Sequence, residues 1–426
     1  MITAIVGANW GDEGKGKITD SLAENADIVL RFQGGANAGH TIINQYGKFA
    51  MHQLPSGVFS SHVTNVIGNG VAFSVENFLE ELNMLRAHGV PEPRVIVSDR
   101  AQLLMPYHKL LDTLEESRLA HKSFGSTRSG IAPFYSDKYA KIGFQISELY
   151  DTEQYLMEKI ERICTLKNVM LTHLYNEAPL EADEIMRTLQ GYRAALEPYV
   201  ADTFTFLDDA RRDGKRILLE GQLGALKDID FGIYPMVTSS NTVSSFGAVG
   251  SGLASRDLTR VIAVVKAYSS AVGAGEFVTE IFDEQAGRLR ECGGDGGEYG
   301  ATTGRPRRMG WLDLVASRYG ARVQSATEIA FTVLDALGYL DRIPVCVGYE
   351  IDNRITDQFP STAVLKKAKP VYEVLEGWKC DIQGIRTFEE LPQACREYIL
   401  FAEKFIGIPI GIISNGPHRN DIIYRT

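Results

Sequence analysis

Short apolar runs rich in Val and Ile alternate along the chain with longer stretches whose apolar residues recur every three or four positions. The first pattern predicts strands over Ile2–Val6, Asp27–Phe32, Val63–Ile67, Arg94–Val97, Arg216–Leu219, Arg260–Val265, Glu328–Leu334 and Pro409–Ile413. The second predicts helices over Lys15–Glu24, Val75–His88, Tyr107–Leu119, Ala182–Leu196, Thr203–Arg212, Leu312–Gln324 and Phe388–Phe405. Strand–helix alternation of this kind predicts an α/β fold with a mostly parallel central sheet flanked by helices. Residues 150–215 are helix-rich and poor in glycine, so a helical insertion is expected there. No repeat, low-complexity tract or Pro/Ser linker divides the chain, which favours one large domain over 1–426.

Composition narrows the function. Acids outnumber bases 54 to 44, a net charge of −10, which disfavours broad binding to nucleic-acid backbone. No apolar run approaches the ~18 residues of a membrane span. Five cysteines without a CxxC pair, and no basic-plus-apolar leader, fit a reduced, cytoplasmic protein. Glycine is in surplus, 41 of 426 residues, and clustered where predicted strands end. Ligands of open α/β sheets bind at those ends.

The first cluster, Gly11-Asp12-Glu13-Gly14-Lys15-Gly16-Lys17, follows a strand and opens a helix. Bare amides and a helix N-terminus attract phosphate, and the lysines add charge. The spacing is not that of a strict GxxxxGK[ST] loop. Asp12 is out of place in a cradle for anions. An Asp before a helix is commonly a cap, but here a base or metal ligand explains it better. The second cluster offers Asn37, Gly39, His40 and Thr41, with the histidine on a loop beside the phosphate cradle. The third, Thr302-Thr303-Gly304-Arg305-Pro306-Arg307-Arg308, is a loop suited to closing on carboxylate or phosphate. Asp335 ends a predicted strand, where a carboxylate can accept the two N–H groups that guanine presents and adenine lacks.

GDEGKGK, GGANAGHT, YPMVTSSNT and ATTGRPRRMGWLD, in this order and followed by SNGP, together resemble the adenylosuccinate synthetase family. The resemblance implies one large α/β domain, usually in a homodimer with shared sites. It implies Mg²⁺-dependent ligation of L-aspartate to C6 of IMP at the expense of GTP, through a 6-phosphoryl intermediate. Asp12 would be the base and, with the Gly39 carbonyl, would hold Mg²⁺. His40 would act at O6. Gly14, Lys15, Gly16, Lys17 and Thr41 would meet the GTP phosphates. Asp335, Ser414 and Gly416 would meet guanine, and Arg307 is grouped with the GTP contacts as well. Asn37, Thr127, Lys141, Gln222, Thr238 and Arg305 would serve IMP. Thr302, Thr303, Arg305 and Arg307 would serve aspartate.

Three positions depart from the family pattern. Lys141 stands for an arginine that reaches the partner subunit's IMP, Leu223 for a glutamine, with Gln222 next door as its possible substitute, and Val333 for a lysine packed on guanine. All three surround the nucleotides, which leaves a second reading open: a paralogue ligating aspartate to another purine-like nucleotide such as dGMP. A third reading, a non-catalytic nucleotide-binding regulatory module, has no use for Asp12 and His40 together.

Overall fold

The computed structural model describes residues 1–120, 124–294, 296–300 and 304–425. Ten strands form its main sheet: β1 (Ile2–Gly7), β2 (Ile28–Arg31), β3 (Thr64–Ile67), β4 (Arg94–Ser98), β5 (Val200–Ala201), β6 (Ile217–Gly224), β7 (Leu258–Lys266), β8 (Glu328–Thr332), β9 (Ile410–Ser414) and β10 (Ile422–Tyr424). Their order across the sheet is β10-β9-β8-β7-β1-β6-β2-β3-β4-β5. Every neighbouring pair is parallel except β9 with β10. The first strands build outward on one side of β1 and β6 and the last on the other. That reversal opens a crevice at the carboxyl ends of the central strands.

All six residues of β1 are buried, as expected of a strand covered on both faces. Ala4 and Val6 face a core completed by Leu314, Ala321, Ile399 and Ala402 of the helices Leu314–Val323 and Gln393–Ile406. Ile5 turns the other way and packs with Ile18 and Ala23 of the helix Lys15–Ala23. The helix-rich stretch divides. Helices Glu153–Val169 and Ala182–Leu196 join a separate core with Ile42, Phe49, Phe78 and Leu111, whereas Thr203–Arg212 returns Leu207 and Ala210 to the main one.

All eight predicted strands lie in the main sheet. Two helices start later than predicted for local reasons. Asp313 caps Leu314–Val323 by accepting from the Ala316 amide, and Pro392 stands at the cap of Gln393–Ile406. Among the described residues, no helix is long and apolar enough to cross a membrane.

Candidate active site

The loop after β1 is shaped by a residue the motif reading passed over. Glu13, almost fully buried, accepts from the amides of Asn9 (3.0 Å) and Gly11 (2.8 Å) and from Lys15 Nζ (3.0 Å). Lys15 Nζ also donates to the Gly11 carbonyl (3.0 Å), so its charge stays inside the loop. Gly11 has φ of +107°, and a Cβ there would stand 2.6 Å from the Leu223 backbone, so only glycine fits. Gly14 precedes the helix Lys15–Ala23 without a side-chain cap, which leaves the first amides of that helix to a ligand. Lys17 is also spoken for. Its Nζ donates to Ser414 Oγ (2.8 Å) and to the carbonyls of Gly416 (2.7 Å) and Asp421 (2.9 Å). Burial pushes this amine down to about 8 despite Asp421 and Asp335 nearby.

The second glycine loop hangs from β6. Gln222 Oε1 accepts from the Gly35 amide (2.8 Å), while Nε2 donates to the carbonyls of Gly35 (2.6 Å) and Ala38 (2.8 Å). Both amide hydrogens are therefore used on backbone. This corrects the expectation of Gln222 as an IMP contact: its side-chain amide holds the glycine loop in place and has no hydrogen left for a ligand. A Cβ on Gly34, whose φ is +79°, would fall 1.6 Å from Gln222 Oε1. Gly34→Ala should therefore lower unfolding free energy by about 2–5 kcal/mol, combining left-handed backbone and overpacking. A denaturant midpoint within error of wild type would contradict this.

His40 is not a loop residue; it opens the hairpin of His40–Asn44 and Gly47–Met51. Arg31 NH1 lies 3.3 Å from its Nδ1. A guanidinium only donates, so Nδ1 accepts and the proton sits on Nε2. That Nε2 is buried and makes no hydrogen bond, with Glu220 Oε1 3.5 Å away. Burial, reinforced by Arg31, His52 and Lys15, holds the imidazole well below the usual histidine range. His40 is thus neutral at pH 7 and stays so as pH falls through the ordinary histidine value. The rate should accordingly be level between about pH 6 and 7. A step there that vanished in His40→Asn would count against this.

Asp12 is approached from the end of β7, from the strand Ser269–Ala271 and from the residue before the strand Arg308–Gly310. Lys266 Nζ (3.3 Å), Ser270 Oγ and Arg307 Nε (3.5 Å) all meet Oδ2, which leaves Oδ1 to the ligand space. Lys266 and Arg307 are also bound to Glu298, as is the hydroxyl of Tyr268. Burial alone would raise the Glu298 carboxyl, but the two cations outweigh it and bring it down to about 2.

Two clefts meet at this carboxylate. The larger, about 790 Å³, is lined by Asn37, Thr127, Thr238 and Lys227 among others. The smaller, about 380 Å³, runs past Gly14, Lys15, Gly16, Lys17, His40 and Thr41 to Val333, Asp335, Ser414 and Gly416. Gly11, Asp12, Gly39, Leu223 and Arg307 line both. At the far end of the smaller cleft Asp335 Oδ1 is buried without a partner, and burial raises that carboxyl. In the larger cleft Asn37 Oδ1 is likewise unpaired. Leu223 (φ +62°) and Val333 (φ +58°) hold left-handed backbone at the ends of β6 and β8. For the β-branched Val333 this is a strained conformation, of the kind that gathers at ligand sites.

A model of the adenylosuccinate synthetase family matches residues 4–423. The chain belongs to this family. Adenylosuccinate synthetases of Dehalococcoides mccartyi and Caldicellulosiruptor bescii are 43% and 44% identical to it, over the whole of this chain and 100% and 99% of theirs. The fully ligated adenylosuccinate synthetase of Plasmodium falciparum is 36% identical and superposes with a TM-score of 0.90, covering 100% of this chain and 99% of that one. The succinoaminodeoxyadenylate synthetase of cyanophage S-2L, bound to dGMP and dATP as an energy donor, is 18% identical with a TM-score of 0.59 and shares the fold alone. The chain is therefore a ligase of the adenylosuccinate synthetase family, and the readings of a dGMP-type paralogue and of a regulatory module are not favoured.

Measured against what the family resemblance implied, most of the residues converge on the two clefts. Lys141 does not: it is exposed, with φ of +62°, at the end of the helix Ile131–Ala140 and lines neither cleft. Arg305 is exposed and lines neither. Thr302 and Thr303 lie outside the described residues. The sequence reading missed Glu13, Arg31, Glu220, Lys266 and Glu298. A lysine closing the apolar strand Arg260–Val265 was the one visible signal among them.

Proposed function

We propose that the chain joins L-aspartate to C6 of IMP with GTP as the energy donor, as the family resemblance implies, with IMP in the larger cleft and GTP in the smaller. The observation that carries this reading is the carboxylate where the clefts meet, with Oδ2 hydrogen-bonded by Lys266 and Ser270 and ion-paired with Arg307, and no contact to Oδ1 among the described residues. Asp12 Oδ1 takes the N1 proton of IMP while O6 attacks the γ-phosphorus and GDP leaves. His40 donates a hydrogen bond from Nε2–H to the charge developing at O6. A neutral imidazole does this without needing to gain a proton first. The amine of aspartate then displaces phosphate at C6. Converting a poor oxygen leaving group into phosphate is what GTP contributes. Asp335, with one oxygen unpaired, suits the N1–H and exocyclic amine of guanine.

Mg²⁺ fits the same junction. It commonly takes one or two carboxylates plus substrate phosphates rather than an all-protein cage, and the Asp12 carboxylate with the Gly39 carbonyl would supply such a partial set; when bound, the ion would neutralise phosphate charge. A homodimer and a cytoplasmic site of action belong to the same reading. The placement of Lys141 away from its own chain's clefts supports its serving a second copy.

The test is turnover: IMP, aspartate, GTP and Mg²⁺ together should give GDP, phosphate and adenylosuccinate in equal amounts. Absence of product, or GDP release that does not depend on aspartate or IMP, would overturn the assignment.

A further inference from the structure

Several charged side chains that line the larger cleft have no part in the scheme above, and Lys227 differs from the other cations among them, Arg118 and Lys167, in having no carboxylate partner among the described residues. Lys227 follows β6 and lines the cleft that also holds Asp12, Leu223 and Thr238. Its Nζ donates to the Met236 carbonyl (3.1 Å), and no carboxylate is paired with it among the described residues. An ammonium has three hydrogens, so two remain for whatever enters. The Lys227 carbonyl accepts from the Thr238 amide (2.9 Å), which ties the residue to the segment forming that wall. Burial is the main influence on the amine and pushes it down to about 8; Arg308 works in the same direction and Asp12 against it. Lys227 and Asp12 line the same cleft, so the lysine faces the space that also holds the carboxylate assigned to proton removal.

Several neighbouring polar groups are otherwise engaged. Gln222 spends its amide on the Gly35–Ala38 loop. Leu223 has no polar atom to offer. Lys167, also in the cleft lining, is bound to Asp137. Thr127 shares its hydroxyl with Ser129.

We infer that Lys227 is a specificity-determining contact for the acceptor nucleotide, its ammonium donating a hydrogen bond to a ring nitrogen of the purine. This rests on the larger cleft being the IMP cleft. A hydrogen bond from a charged donor in a partly desolvated site is expected to matter about tenfold or more in binding. It would give the cleft a polar grip on the base on the side where Leu223 provides only packing.

The experiment compares wild type with Lys227→Met, a variant of similar length without donors, on IMP and on its 3-deaza and 7-deaza analogues. In the variant, KM for IMP should rise about tenfold or more, with KM for aspartate and for GTP within about twofold. Wild type should lose a comparable factor on one of the two analogues, the one lacking the nitrogen that Lys227 reads. The variant should show no further loss on that analogue, because the partner is already gone. Unchanged KM for IMP would overturn the inference. So would a variant as sensitive to both analogues as wild type, which would move the contact to ribose, phosphate or aspartate. Lys227→Arg, which keeps a donor, should restore part of the discrimination, and its failure together with a lowered melting temperature in both variants would mark the lysine as structural. Failure of the underlying function is separately visible, since wild type would then not turn over IMP at all.

Discussion

Asp12→Asn should lower kcat by about 10³- to 10⁴-fold while the protein still binds GTP and IMP. The size follows from the two jobs lost together: proton removal at N1, and the negative charge facing that proton. An amide keeps the shape and can still accept from Ser270 and Lys266 through its oxygen, so the loop geometry survives. It does change the charge count of the cluster. With Asp12 neutral, Lys266 and Arg307 are left to Glu298 alone. Nucleotide binding by calorimetry and a melting curve belong beside the kinetics for that reason. A kcat within tenfold of wild type would remove Asp12 from the role of base; a rate lost only in proportion to folded protein would make it structural.

Lys266→Met is expected to have the largest effect on stability. The lysine is 4% exposed and joins Asp12 to Glu298, itself 3% exposed. Removing one partner of a buried ionic cluster typically costs about 3–5 kcal/mol, because the remaining charge keeps its desolvation cost without its counter-ion. Chemical denaturation should show a loss of that order. Activity should fall as well, since Asp12 Oδ2 loses one of its three holding contacts. Adding Glu298→Gln to the Lys266→Met chain should return part of the stability by removing the stranded charge, without returning the rate. If Lys266→Met unfolds at the wild-type midpoint, the cluster is not the internal tie described above.

The central sheet was legible because its strands are buried on both faces and read as unbroken apolar runs. Its edges were not: β5 and β10 have two and three residues, too few for any periodicity. The helix Ile131–Ala140 was missed because Pro133 and adjacent apolar residues hide the helical repeat. Asp12 and His40 stood out because their glycine neighbours mark a ligand loop. The charges that govern them did not stand out. Glu220 and Lys266 lie in strands, while Glu298 follows a flexible-looking glycine tract; they come together only when β1, β6 and β7 are placed side by side. Gln222 misled in the opposite sense: a polar residue beside a substrate position looks like a contact, yet its hydrogen bonds were already committed to backbone.

Lys17 gives the smaller cleft a property that neither glycine loop has alone. Its stem belongs to the first turn of the helix whose N-terminus has no side-chain cap, and its tip grips Ser414 and the carbonyls of Gly416 and Asp421. Two parts of the smaller cleft, the glycine loop after β1 and the segment after β9, are thereby tied together by a single side chain. Under the proposed function the cleft would work as a gauge: a nucleotide seated at the Asp335 end would deliver its terminal phosphate to a place decided in advance, beside Asp12, and a shorter one would fall short of it.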